Sequence, residues 1–255
     1  MSLTPYYQDE HVTLYHGDSL ELSDTWVGAD ALITDPPYGI RYSSCGVKWK
    51  GGKNFKRRPG GGGLVSNDQT LEVRDAALAA WDEANKLDKP VAVFGTWRKP
   101  RPPQTRHRLI WHKDTNILSH MPNPFILKDE EIYVWGKGWK RERPALGSVI
   151  TTHESRQALT ARIGHPTPKP LDLMRTIIGR MENDQAVIAD PFSGAGSTLI
   201  AAWQLGHKAI GVELEEEYCE LIAMRLEHWR RYGGEITRKY RLSKTSGEAL
   251  TETLL

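Results

Sequence analysis

The stretch that most constrains the fold is Asp190-Pro-Phe-Ser-Gly-Ala-Gly-Ser-Thr198, which follows the apolar run 186–189 and opens an apolar helical stretch reaching about Leu205, where Gly206 is a plausible stop. A chain that leaves a buried strand through two glycines and enters a helix directly is building a strand–turn–helix unit. Its first helical amides face whatever lies beyond the strand end. Gly194 and Gly196 let the backbone approach a ligand closely, although Leu199 stands where a dinucleotide fingerprint has its third glycine. A tight turn with no ligand explains the same residues, and both readings stay open on this motif alone. The next apolar run ends in Gly211-Val-Glu213, an acid 23 residues after Asp190 and close to the offset at which such folds hold ribose hydroxyls. The competing role for Glu213 is a surface acid at the start of a helix beginning near Glu215.

Other short apolar runs bounded by turn residues lie at 12–15, 31–34, 91–94, 108–111, 131–135 and 208–212. Between several of them the apolar residues fall at helical spacing, as in Leu171, Met174, Ile177, Ile178 and Met181, and in Tyr218, Leu221, Ile222, Leu226 and Trp229. Strand and helix in repeated alternation predict an α/β fold with a doubly wound, mostly parallel sheet, the runs near 108 and 131 forming an antiparallel element at one edge. With 255 residues, 39% of them hydrophobic, the chain suits one domain over 1–235. Residues 136–165 read as a small insertion, and 236–255 as a polar, partly disordered tail. Residues 41–66 carry the glycine run 60–63 among lysines and read as a mobile basic loop.

Charge is segregated although the net is only +2. Between Pro36 and Asn67 there is no acid, but there are Arg41, Lys48, Lys50, Lys53, Lys56, Arg57 and Arg58, and Lys89 to Lys113 is likewise free of acids. One face for a polyanion is one reading, and two solvated loops the other. No apolar run approaches the roughly 20 residues of a membrane span, and the N-terminus lacks a secretory pattern, so a cytoplasmic protein is expected. Cys45 and Cys219 have no paired spacing and the histidines no ligand pattern, so no metal is expected.

Asp35-Pro-Pro-Tyr38 stands directly at the end of the apolar run 31–34. Two consecutive prolines fix the backbone and offer no amide hydrogens, so Asp35 and the Pro36 carbonyl can serve as paired acceptors, a pattern suited to an amino group. Tyr38 adds an aromatic face for a flat base. The plainer alternative is a proline strand terminator beside a core tyrosine.

Taken together, Asp35-Pro-Pro-Tyr38 and Asp190-Pro-Phe-Ser-Gly-Ala-Gly196 resemble the amino-methyltransferases of DNA, which modify N6 of adenine or N4 of cytosine. His165-Pro-Thr-Pro-Lys-Pro170 is similar to their His-Pro-Thr-Gln-Lys-Pro element, with Pro168 in place of the glutamine, and His16-Gly-Asp18 is similar to their adenine-contacting strand end. The order, with the catalytic tetrapeptide ahead of the glycine motif, resembles the circularly permuted beta class. The resemblance implies a Rossmann-like class I methyltransferase fold and S-adenosylmethionine as cofactor. It implies Asp35, Pro36, Pro37 and Tyr38 as the catalytic set, and Asp18, Asp35, Thr167, Lys169, Asp190, Phe192, Gly194, Gly196 and Glu213 around the cofactor. It favours adenine, because Asp-Pro-Pro-Tyr accompanies adenine in most members and Ser-Pro-Pro-Tyr cytosine. A cytosine-N4 enzyme and a catalytically silent DNA-binding module remain the alternatives.

Double-stranded DNA is the implied partner, its target base flipped out at a cost of about a few kcal/mol. The phosphate contacts expected are Lys48, Lys50, Lys53, Lys56, Arg57 and Arg58 in the basic loop and a further backbone contact along 89–113, while sequence recognition falls to the insertion 136–165, with Lys140, Arg141, Arg143 and Arg156 as candidate readers of phosphate or guanine. A homodimer and a restriction endonuclease partner are both left open.

Overall fold

The computed structural model describes residues 4–40, 68–114, 125–142, 145–154 and 156–236. The basic loop, Arg143 and the tail beyond Ile236 therefore lie outside the described residues.

Among the described residues, nine strands form one sheet: β1 (Tyr7–Gln8), β2 (Val12–His16), β3 (Ala31–Thr34), β4 (Val91–Gly95), β5 (His107–Lys113), β6 (Asp129–Trp135), β7 (Val149–Thr152), β8 (Val187–Asp190) and β9 (Lys208–Glu213), in the order β1-β2-β9-β8-β3-β4-β6-β5-β7. The central strands β2, β9, β8, β3 and β4 are mutually parallel. β6 runs antiparallel between β4 and β5, and β1 is a short antiparallel strand at the far edge. The antiparallel pair expected at an edge is thus internal. β7 pairs parallel with β5 and takes the edge, so residues 149–152, expected within an insertion, belong to the sheet. Their β-branched sequence Val-Ile-Thr-Thr explains why.

Successive side chains of a strand point to opposite faces, and the core divides accordingly. Ala31, Ile33, Ala92 and Phe94 pack with α4 (Leu171–Ile178), α5 (Ser197–Gln204) and α6 (Glu216–Tyr232). Leu32, Val91 and Val93 pack on the other face with Trp26 of α1 (Ser23–Trp26) and with Ala77, Leu78 and Trp81 of α2 (Glu72–Asn85). Burial on both faces is why the central strands read as continuous apolar runs. The remaining helix, α3 (Arg156–Ile163), covers Ala195 and Leu221 through Leu159 and Ile163. Among the described residues, no helix is long and apolar enough to cross a membrane.

β8 and β3 lie side by side at the middle, with Ala31 opposite Ile188, although 150 or more residues separate them in sequence. Connections leave them toward opposite sides of the sheet, and the crevice beyond the carboxyl ends of such a pair is where open α/β sheets bind ligands.

Candidate active site

Both sequence motifs leave the sheet at this switch point. The Thr34 hydroxyl, last in β3, donates to Asp190 Oδ1, last in β8, at 2.6 Å, and the Phe192 amide donates to the same oxygen at 3.2 Å. Asp190 is 2% exposed, and burial pushes its carboxyl up to about 6 against the hydrogen bonds from Thr198 and Thr34. Asp190, expected as a cofactor ligand, ties the end of β3 to the glycine turn.

That turn is held open by its backbone. Gly194 and Gly196 sit at φ of 52° and 74°, where side chains other than glycine are strained. A Cβ on Gly194 would meet the His165 ring at 3.3 Å, and one on Gly196 would meet Ile222 at 2.8 Å. The buried Arg225 donates to the Ala195 carbonyl and ion-pairs with Glu235, pinning the turn from beneath. His165 stacks edge-on against Tyr218 with centroids 4.5 Å apart, and burial plus the charges of Lys169 and Arg225 hold it near a pKa of about 3, so it is neutral.

Glu213 ends β9 at the same rim. Its Oε2 accepts from the Gly194 amide at 2.7 Å and its Oε1 from the Glu215 amide at 2.9 Å. It therefore bonds both to the glycine turn and to the approach of α6. Burial pushes its carboxyl up to about 7 in spite of both amides. Asp18 stands just past β2, whose His16 is in register with Glu213, and its Oδ1 accepts from the Leu20 amide at 2.8 Å. Thr167 donates its amide to His165 Nδ1 at 3.2 Å. A turn in which a Cβ would crowd a neighbouring ring, a recessed acid and the half-buried Phe192 together suit a nucleoside with free hydroxyls.

Asp35-Pro-Pro-Tyr38 opens a charged cluster that the sequence did not show in full. Lys169 Nζ lies 2.5 Å from Asp35 Oδ2 and 3.2 Å from Glu130 Oε2. The Tyr38 hydroxyl contacts the same two carboxylates, at 2.7 Å from Asp35 Oδ1 and 3.1 Å from Glu130 Oε2. Lys113 ion-pairs with Glu130 Oε1. Phe94, Tyr38 and Trp111 surround the Lys169 ammonium at 4.9, 5.6 and 5.8 Å from their ring centroids. Burial disfavours the Lys169 charge, but the two carboxylates outweigh it and raise its pKa. Desolvation raises Asp35 above the ordinary range against the pull of Lys169, while Lys169 and Lys113 overcome burial and hold Glu130 low. Asp68, 3% exposed, accepts from the Gly39 and Ile40 amides at 2.5 and 3.3 Å and anchors the backbone after Tyr38.

Glu130, Lys113 and Asp68 were missed because no local motif marks them. Glu130 and Lys113 reach the site only through strand order: β6 is antiparallel to β4 and β5, which brings its start beside the carboxyl end of β4 and the end of β5.

The same register moves other expected contacts away. Lys140 and Arg141 follow the end of β6, where Trp135 pairs with Val91 at the start of β4, so they lie at the rim opposite Asp35. Lys140 is there ion-paired to Asp184 at 3.1 Å. Within 89–113, Arg106 also falls at that opposite rim and Arg108 lies mid-sheet, ion-paired to Glu131 at 3.1 Å, while Trp97, Arg98 and Lys99 follow the carboxyl end of β4 at the rim of Asp35. Trp97 is 63% exposed, with the Arg98 guanidinium 5.6 Å from its ring centroid.

A doubly wound sheet with an acidic-proline turn beside a glycine turn at its switch point defines the class I methyltransferase architecture. The M1.HpyAVI–SAM complex shares it at a TM-score of 0.63 and 21% identity, covering 84% of this chain and 98% of that one. The cytosine-N4-specific PvuII DNA methyltransferase shares it at a TM-score of 0.61 and 17% identity over 97% of both chains. Residues 102–224 match the DNA methylase family of N6 and N4 enzymes. The type II methyltransferase M2.MboI of Moraxella bovis is 31% identical over 87% of this chain and 90% of its own length. The putative methylase YubD of Escherichia coli is 26% identical over 79% of this chain and 84% of its own. The chain belongs to the DNA amino-methyltransferase family, whose cofactor is S-adenosylmethionine.

Proposed function

We propose that the chain methylates the exocyclic amine of a flipped base in duplex DNA, and that the base is adenine, modified at N6. The observation that carries this reading is the Thr34–Asp190 joint, which fixes Asp35-Pro-Pro-Tyr38 beside the glycine turn. S-adenosylmethionine supplies an electrophilic methyl group on a sulfonium. Gly194, Gly196, Phe192, Glu213 and Asp18 would hold it, Glu213 receiving hydroxyl donors on its recessed carboxylate. Thr167 belongs to this set through the family resemblance. Lys169 is the residue whose assignment changes, because its ammonium lies on Asp35 and Glu130 and so serves the catalytic cluster.

A base amine is a weak nucleophile because its lone pair is delocalised into the ring. Asp35, accepting one amine hydrogen, and the Pro36 carbonyl, accepting the other, draw that nitrogen toward tetrahedral geometry. Positioning and electrostatics then supply most of the barrier reduction. Asp35 is also the base nearest the proton that the methylated nitrogen sheds. Tyr38 gives the flipped ring a stacking partner, worth about 1–3 kcal/mol. Trp97, Arg98 and Lys99 on the same rim face the duplex, and the basic residues within 41–66 would add phosphate contacts.

Adenine is favoured over cytosine by the acid at position 35, and the DNA adenine methyltransferase YhdJ of Escherichia coli is 36% identical over 81 residues, 28% of its length. Digesting methylated plasmid to nucleosides decides the base: N6-methyldeoxyadenosine is expected, and N4-methyldeoxycytidine would assign the enzyme to the other branch.

A further inference from the structure

In this structure both oxygens of Asp35 are occupied by groups of the protein itself. Oδ2 faces Lys169 and Oδ1 accepts from Tyr38. An amine entering the site needs one of those oxygens, and an ammonium buried among three aromatic rings cannot be left without a counter-charge except at high cost. Among the described residues, Glu130 is the one other carboxylate that both donors already touch, at 3.2 Å from Lys169 and 3.1 Å from Tyr38.

We infer that Glu130 is a positioning residue that takes over Lys169 and Tyr38 from Asp35 when the target amine arrives, so that the catalytic carboxylate is released without orphaning a buried charge. This rests on the proposed function and adds to it a residue, on a strand remote in sequence from every motif, that acts through Asp35. Lys113 sets the balance: by neutralising Glu130 from its other side it weakens the claim of Glu130 on Lys169. With Asp35, Glu130, Lys169 and Lys113 all ionised, the cluster carries two charges of each sign. Moving the ammonium between carboxylates therefore changes no net charge.

The groups facing Asp35 are Lys169 from the segment before α4, Tyr38 from its own turn, Glu130 from β6 with Lys113 of β5 behind it, and Asp190 of β8, whose carboxyl senses the Asp35 charge. Glu130→Gln removes a negative charge that raises Asp35 and leaves Lys169 to Asp35 alone. Asp35 then ionises more readily. Lys113→Met frees Glu130 to hold Lys169 more strongly, so Asp35 loses part of its counter-charge and ionises less readily. The two variants should move the same limb in opposite directions, which damage to packing would not do.

The test is the pH profile of kcat/KM for a duplex containing the target site, at saturating cofactor. Each variant is first checked for folding by circular dichroism and for cofactor affinity by calorimetry. For Glu130→Gln, kcat should fall about 10- to 100-fold, the factor for removing one charge-assisted hydrogen bond. Its acid limb should move down by roughly one pH unit, and that of Lys113→Met up by a similar amount. Limbs that stay in place, or that move the same way in both variants, overturn the inference. If Glu130→Gln does not fold, Lys113→Met decides alone, and an unmoved or lowered limb overturns it. A wild type that methylates no DNA overturns the proposed function and this inference with it. A wild type that methylates DNA, with variants that leave the limb in place, overturns only the role of Glu130.

Discussion

Glu213 gives the sharpest prediction for the cofactor side of the site. Its carboxyl is pushed up to about 7 by burial, while its two oxygens already accept the Gly194 and Glu215 amides. Hydroxyl donors of a bound nucleoside favour the ionised form, so binding must first expel the proton wherever Glu213 is protonated. Cofactor affinity therefore rises with pH through about 7 and levels off above it. Only about a tenth of the carboxyl is ionised one unit below its pKa, so affinity at pH 8 should exceed that at pH 6 roughly tenfold, or about 1.4 kcal/mol. Glu213→Gln keeps the shape but removes the charge. It should bind about 1.5–3 kcal/mol more weakly at pH 8, the worth of a hydrogen bond to a charged group, and much less differently at pH 6. Calorimetric titration of both proteins between pH 6 and 8 is the assay. Protonation of the ligand itself is common to both, so the difference between the two curves isolates the carboxylate. Parallel curves would show that the Glu213 charge takes no part in binding and would return the residue to a purely structural role beneath α6.

Gly196→Ala and Gly206→Ala share a left-handed backbone, worth about 1–2 kcal/mol each. Only the Gly196 Cβ meets a neighbour, Ile222 at 2.8 Å, so Gly196→Ala should cost about 1–3 kcal/mol more in denaturant unfolding; equal costs would show that the turn relaxes freely. Trp97→Ala should lower single-turnover methylation of a paired target by up to the roughly 1–3 kcal/mol of a base stack, and much less when the target base is mispaired; an equal loss on both substrates would remove Trp97 from base extrusion. Replacing Lys53, Lys56, Arg57 and Arg58 with Ala should reduce the slope of log affinity against log salt by about 0.9 for every phosphate that is no longer neutralised; an unchanged slope would make the loop merely solvated.

The sequence made the parts of this site visible more readily than their assembly. Asp35-Pro-Pro-Tyr38, the glycine turn and Glu213 are local patterns, each at the end of an apolar run, and each stands at the same rim of the sheet. Strand order was not legible: the apolar runs of β5 and β6 look alike, and only pairing in space shows β6 inserted between β4 and β5. That ordering puts Glu130 and Lys113 against Lys169, and sends Lys140 and Arg141 to the opposite rim. Lys169 shows the same limit. Its motif marks it as functional, but the partners of its ammonium come from two strands distant in sequence. Asp190 looked like a ligand because it opens the glycine motif, whereas its burial against Thr34 makes it the joint between β8 and β3.

In the function proposed above, Asp35 acts on the amine while the glycine turn and Glu213 hold the cofactor. The most direct test compares wild type and Asp35→Ala, measuring transfer of labelled methyl from S-adenosylmethionine to plasmid DNA alongside cofactor affinity. Wild type should label the DNA, whereas Asp35→Ala should transfer nothing yet bind cofactor within about tenfold, or roughly 1.4 kcal/mol. Sustained transfer by Asp35→Ala would contradict the account.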